Sequence, residues 1–257
     1  MKKINQILVS RANESEIIPE AGSGQLPAAF HGGEAPLDID GQLDILEIDH
    51  GIIELAMYIT GVILAAGMSS RMGPINKLFL RYKNHTIIEE VFIQLANSKV
   101  DEILIVTGFE RERIENALPH RLKENVRFIH NREYHRGRAE SIKCAVKDLK
   151  ENVDAILFMV ADKPGISSAL VNRAIKAFER ERPMILYVET PTGRGHPIMF
   201  SRRLFNELLA LNGDRVGEEL VTRYEGQTLK LKDEAPQIDV DNEDDYRMLT
   251  AGNKGNK

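Results

Sequence analysis

The stretch Gly61-Val62-Ile63-Leu64-Ala65-Ala66-Gly67-Met68-Ser69-Ser70-Arg71-Met72-Gly73, with Lys77 four residues on, constrains the fold more than any other part of the chain. An apolar run of β character, residues 59–65, empties into a loop bounded by glycines and carrying hydroxyls and cations. A strand this continuously apolar is expected where a sheet is buried on both faces. Glycines let the backbone turn sharply and bring its N–H groups close to an anion. Arg71 and Lys77 can then neutralise a polyphosphate that those N–H groups cradle. The spacing is not that of a P-loop, which needs Lys directly after its second Gly, and no G-x-G-x-x-G follows a strand. The alternative is a surface loop with two solvated cations; a loop that holds nucleotide phosphates is the stronger reading.

From residue 59 onward, strand and helix patterns alternate. Strands are expected at 59–65, 102–107, 126–129, 154–160 and 184–188, with a short one at 228–231. Helices are expected at 110–117, 139–149, 167–180, 201–211 and 217–224. Thr86 with Glu89 forms a capping box that opens a further helix, whose apolar stripe is Ile87, Ile88, Val91, Phe92 and Leu95. Such alternation implies an α/β fold, a mostly parallel, doubly wound sheet covered on both faces. Ligands bind such sheets beyond the carboxyl ends of the strands. Three features fall at strand ends: the glycine loop, the turn at 161–164, and the segment bearing Asp239 and Asp241.

Residues 1–57 read differently, with Ala21-Gly22-Ser23-Gly24, His31-Gly32-Gly33 and an acidic stretch without clear period. They are expected to form an appendage or linker, and residues 58–257 the catalytic domain. A net charge of −5 argues against a nucleic-acid surface. Residues 52–66 are apolar but contain Glu54 and fall short of the roughly 20 residues of a membrane span. The N-terminal lysines precede no long apolar region, so a cytoplasmic protein is expected. The single cysteine, Cys144, lies in a helical apolar pattern and reads as core rather than nucleophile.

Asp162 follows an apolar strand directly, at the sheet edge where a carboxylate can hold Mg²⁺ together with phosphate oxygens and water. An Asp in a turn before Pro164 is the structural alternative. In Ile238-Asp239-Val240-Asp241, alternation turns both aspartates to the face opposite Ile238 and Val240, and one of them is a candidate second metal ligand. Asp241 or Asn242 could equally cap the next helix, whose first turn takes Glu243, Asp244 and Asp245. Residues 131–141 gather cations before a helix start, where N–H groups and Ser141 can meet a base, sugar or phosphate; a solvated basic loop is the alternative. Gly193-Arg194-Gly195-His196-Pro197 reads as a compact turn that a ligand can approach. There is no Ser/His/Asp order or nucleophile elbow.

Together these stretches resemble the molybdenum cofactor nucleotidyltransferases, the MobA-like family, and among them the cytidylyltransferases, over residues 58 to 250. Leu64 to Gly73 with Lys77 is similar to the family's signature loop, 134–141 to its Gly-x-x-x-Ser region, and Gly195-His196-Pro197 to its Gly-His-Pro turn. Gly213-Asp214 with Gly217 resembles Gly-Asp-x-Gly with one extra residue, and Asp239-Val240-Asp241 the C-terminal Asp-Ile-Asp. Asp162 falls at the Asp-x-Pro metal ligand, where Lys163 replaces the usual apolar residue. The resemblance implies a Rossmann-like nucleotidyltransferase fold and a Mg²⁺-dependent reaction. In it a phosphate acceptor, molybdopterin, takes a nucleotidyl group with release of pyrophosphate. The Ala65-Ala66 pair goes with CTP, and a molybdenum hydroxylase apoenzyme is the implied partner. Leu64, Ala65, Ala66, Gly67, Ser69, Ser70, Arg71, Gly73, Lys77 and Ser141 would bind nucleotide. Arg71, Lys77 and Asp162 would be catalytic, Asp162, Asp239 and Asp241 would serve the metal, and Lys163 and His196 would meet the acceptor. A sugar or alcohol phosphate acceptor, and a nucleotide-binding regulatory module without turnover, are the alternatives.

Overall fold

Alternate residues of 59–65 serve two different cores. Ile59, Ile63 and Ala65 pack into one, and Val62 and Leu64 into the other. The next strands repeat this: Ile103 and Ile105 face the first core and Leu104 and Val106 the second, as do Leu157 and Met159 against Ile156 and Phe158. A period of two with both phases apolar is what a strand inside a two-sided sheet requires. In the computed structural model, residues 45–48, 51–54, 56–69, 75–118, 125–213 and 216–251 are described, by backbone course alone at 45–48, 51–54, 216 and 217.

The sheet has seven strands: β1 (Ile59–Ala65), β2 (Glu102–Thr107), β3 (Val126–His130), β4 (Ala155–Val160), β5 (Ile185–Thr190), β6 (Gly193–Ser201) and β7 (Thr228–Lys232). Their spatial order is β7-β5-β6-β4-β1-β2-β3. β1 is parallel to β2 and β4, β2 to β3, and β5 to β7, whereas β6 runs antiparallel to both β4 and β5. The mostly parallel sheet read from the sequence is therefore present, with one reversed strand that the sequence did not disclose.

Helices cover both faces. α1 (Ile87–Ala96), α4 (Ser168–Glu181), Ile114 of α2 (Arg111–Ala117) and Leu249 of α7 (Glu243–Ala251) close the first core. α3 (Arg138–Lys147), α5 (Phe205–Ala210) and α6 (Val216–Arg223) lie on the second, with Leu208 and Leu220 buried there and Cys144 packed against it. The capping box forms: Thr86 accepts from the Glu89 N–H and the Glu89 carboxylate accepts from the Thr86 N–H. The chain divides into two units, residues 1–52 and 53–257. A short ladder of Ile45–Ile48 with Gly51–Glu54 lies in a stretch where the sequence shows no period. Among the described residues no helix is long and apolar enough to cross a membrane.

Candidate active site

β1, β2 and β4 end at one edge of the sheet, and β6, running the other way, begins there. A cleft of about 580 Å³ opens at that edge. Its wall includes Leu64, Ala65, Ala66, Gly67 and Ser69 from the end of β1, together with Lys77, Ser141, Asp162, Lys163, His196, Asp239 and Asp241. Every described residue given a nucleotide-binding, catalytic, metal or acceptor role from the sequence therefore lines one cavity. Ser70, Arg71, Gly73 and Asp214 lie outside the described residues.

Side chains hold the described part of the loop, which runs to Ser69. Gly67 is not among the described residues with positive φ; Ser69 is, at φ 52°. A non-glycine residue in this region costs about 1 kcal/mol, and here the Ser69 hydroxyl donates to Asn76 Oδ1 at 3.2 Å. The same Asn76 oxygen accepts from the Leu78 N–H at 3.1 Å, capping the short turn Lys77–Phe79, while its Nδ2 donates to Glu110 at 2.6 Å. Asn76, buried, thus fixes the turn that carries Lys77. Gly108, just past β2, is required by close approach: a Cβ there would stand 2.7 Å from Tyr134 and 2.9 Å from Ala66.

Two lysines meet three carboxylates at the centre. Lys77 Nζ lies 2.7 Å from Asp162 Oδ2 and 2.9 Å from Asp241 Oδ1, and Lys163 Nζ lies 3.1 Å from Asp239 Oδ1. Burial draws the Lys77 pKa down, but Asp162 and Asp241 outweigh it and hold the ammonium above its ordinary value. Partial burial, with Asp162 and Asp241 close by, pushes the Asp239 carboxyl up against the pull of Lys163. The Val240 N–H donates to the Asp162 carbonyl at 3.2 Å, tying the C-terminal segment to the end of β4. Val240 is fully buried and Ile238 packs on the same core, so the expected alternation of 238–241 holds, although the segment is not a strand. Asn242 is the cap of α7, accepting from the Asp244 and Asp245 N–H groups, and Asp245 accepts from Asp241 and Asn242 in return. The Asp241 carboxylate is thereby left to face the cleft.

His196 stands on β6, and the turn read from Gly193-Arg194-Gly195-His196-Pro197 is corrected to a strand with an irregularity between Gly195 and Ile198. Two glycines and a proline are poor strand formers, but Gln237 supplies the bonds that the ladder lacks. Gln237 Oε1 accepts from the His196 N–H at 2.7 Å and its Nε2 donates to the His196 carbonyl. A Cβ on Gly195 would stand 2.6 Å from Gln237 Oε1. The imidazole Nδ1 lies 3.2 Å from the Phe158 carbonyl. Burial first, then the Lys163 charge, lower its pKa to about 4, so the ring is neutral near pH 7. Across the cleft, buried Asn131 donates to Ser141 Oγ at 3.0 Å and accepts from the Glu133 N–H at 2.9 Å. Gly137, at φ 112°, opens α3 without a side-chain cap, and the helix start faces the cavity with Tyr134 and Arg138 beside it. Sequence reasoning missed Gln237, Asn76 and the role of Asn131, because buried amides that fix backbone carry no periodic signal.

The donor set suits a hard divalent cation. Three carboxylates against two ammonium groups leave one negative charge in excess, all on oxygen. Among the described residues no three His, Cys, Asp or Glu side chains already form a metal cage. Mg²⁺ characteristically takes one or two carboxylates and fills its shell with phosphate and water.

The MobA-like NTP transferase domain model matches residues 61–228. The chain is 29% identical to the purine catabolism protein PucB of Bacillus subtilis over 206 residues, which are 75% of this chain and 96% of that protein. Rv0371c of Mycobacterium tuberculosis superposes with a TM-score of 0.68 at 27% identity, covering 77% of this chain and all of its own. A second structure of that protein, in complex with manganese, gives 0.64 at 26% identity, over 76% of this chain and 99% of its own. A nucleotidyl transferase from Methanothermobacter gives 0.65 at 22% identity over 76% of this chain and 97% of its own, a likeness of fold. With fold, sequence and cleft in agreement, the chain belongs to the MobA-like NTP transferase family and is a nucleotidyltransferase.

Proposed function

We propose that the protein transfers CMP from CTP to the terminal phosphate of a molybdopterin-type acceptor, releases pyrophosphate, and serves a molybdenum hydroxylase. One observation carries the reading: residues 64–69 of the glycine loop, Lys77, Asp162, Asp239, Asp241, Ser141 and His196 surround a single cavity at the strand ends. An acceptor phosphate oxygen attacks the α-phosphorus in line. The bond from the α-phosphorus to the bridging oxygen breaks, and its electron pair leaves with pyrophosphate. The nucleophile is already an anion, so no strong base is needed, and neutral His196 fits a binding role. The difficulty is repulsion between anions, relieved by positioning and by fixed positive charge. Lys77, with Arg71, stabilises the triphosphate and the leaving group, and the loop that begins at Leu64 binds its phosphates. Mg²⁺, held by Asp162 with Asp239 or Asp241, would supply the remaining neutralisation. Ser141 and the open start of α3 bind the nucleoside side. Lys163 and His196 face the acceptor. The Ala65-Ala66 pair, in the family it resembles, favours CTP.

Pyrophosphate release from CTP, GTP, ATP and UTP, each with Mg²⁺ and with molybdopterin, a sugar phosphate or no acceptor, tests the reading. Turnover of CTP that depends on molybdopterin is expected. Turnover with the sugar phosphate alone would replace the acceptor, and turnover of another nucleotide would replace the donor.

A further inference from the structure

His196 is fixed at every polar atom but one. Gln237 holds its backbone from both sides, accepting from the N–H at 2.7 Å and donating to the carbonyl. Its ring Nδ1 lies 3.2 Å from the Phe158 carbonyl oxygen on β4. Phe158 is buried, its strand's pairing with β6 stops at Ile198, and the next residue of β6, Pro197, has no N–H to give. A carbonyl oxygen only accepts, so Nδ1 carries the proton, and a neutral imidazole then keeps a bare lone pair on Nε2. Among the described residues no group pairs with that nitrogen, and the residue lines the cleft. Resting on the reading of the cleft as the place where a phosphate acceptor binds, we infer that the imidazole Nε2 of His196 accepts a hydrogen bond from a neutral N–H or O–H group of that acceptor, and so reads the part of the molecule that is not its phosphate.

A contact with the acceptor's phosphate would set lone pair against lone pair. A phosphate monoester, with its second pKa near about 6, is mostly a dianion at pH 7 and has no proton to place between the two atoms. Protonating the ring would remove the conflict, but burial, helped by the Lys163 charge, holds its pKa at about 4. The neighbouring lysine suits the phosphate instead: its ammonium sits in the same wall on a side chain only 11% exposed. The acceptor side of the cleft is thus divided between a cation for the phosphate and a neutral lone pair for a donor. The class of acceptor that fits is a phosphate monoester carrying a ring N–H or a hydroxyl near its phosphate. A pterin offers the first and a sugar phosphate the second.

Nitrogen NMR of the histidine-labelled full chain at pH 7, with His196→Gln to assign the signal, reads the tautomer without turnover. A proton on Nδ1 and none on Nε2 is expected; a proton on Nε2, or on both, overturns the inference. Kinetics test the contact itself. His196→Asn keeps an N–H where Nδ1 stands but has no atom where Nε2 stands. It should raise the KM for molybdopterin about tenfold while the KM for CTP stays within about threefold. His196→Gln, whose amide oxygen reaches the Nε2 position, should keep the molybdopterin KM within about threefold of wild type. An Asn variant with an unaltered molybdopterin KM, or with equal rises for CTP and molybdopterin, overturns the inference and leaves the transferase reading intact. If wild type turns over glucose 1-phosphate and not molybdopterin, the proposed acceptor falls, and the same two variants must raise and keep the KM of the sugar phosphate for the inference to hold. With turnover of neither, the proposed function falls and the tautomer alone decides the inference.

Discussion

Replacing Lys77 by Met removes the charge on which the central cluster is organised while nearly keeping side-chain volume. Asp162 and Asp241 would then face each other with their nearest oxygens less than about 6 Å apart and no ammonium between them. At an effective dielectric of about 20, two unit charges at that distance repel by about 3 kcal/mol. That repulsion sets a destabilisation of the same order at pH 7. It shrinks as the pH falls toward 5, because the repelled carboxylate takes up a proton in the folded state more readily than in the unfolded state. Catalysis should suffer through a separate route: the triphosphate loses a fixed cation worth about 3–4 kcal/mol in the transition state, or roughly 10²–10³-fold in kcat. Metal binding should move the opposite way, since the variant has lost the ammonium that competes for the same two carboxylates. Stopped assays of pyrophosphate release, thermal melts at pH 5 and 7, and Mn²⁺ titration read the three effects separately. Turnover within about threefold of wild type, with unaltered Mn²⁺ affinity, would refute the role given to Lys77.

Three further outcomes follow from the geometry. His196 has a folded pKa of about 4 against about 6.5 when unfolded. Between these values the unfolded chain binds more protons, so stability should fall as the pH drops from 6.5 to 4, by about 3 kcal/mol in all; His196→Asn should flatten that slope in pH-dependent melts. Gly195→Ala would put a methyl 2.6 Å from Gln237 Oε1 and should push the amide off the His196 backbone. The expected result is an acceptor KM raised about tenfold with the CTP KM little changed, and an equal rise in both would argue against it. Asn131→Ala removes the donor to Ser141 Oγ and should cost about 1–3 kcal/mol of stability. It should also weaken CTP binding, measured by calorimetry, more than acceptor binding.

The sequence disclosed the parts of this molecule that repeat and concealed those that do not. Residues 59–65, 102–107 and 155–160 are apolar on both faces, and the structure needs them so because both faces of the sheet are covered. Thr86 and Glu89 announce a helix start through chemistry confined to four residues, and tertiary contacts have nothing to add. Asp162, Lys77 and Asp241 were legible as candidates because each follows a strand or loop pattern that ends at one edge. β6 was not legible: its glycines and proline read as a turn, and only Gln237, about forty residues away, supplies the bonds that make a strand there possible. The choice between Asp241 and Asn242 as cap could not be made from spacing alone, since both fit; Asp245, by accepting from both N–H groups, leaves Asn242 to cap the helix.

The most direct test of the central claim is to follow the α-phosphate. Protein incubated with Mg²⁺, molybdopterin and CTP labelled at that phosphate should place the label on the pterin product, as CMP joined through a pyrophosphate linkage, with one pyrophosphate released per label transferred. Label recovered only as unreacted CTP or as free CMP, from protein shown to bind both compounds, would contradict the account.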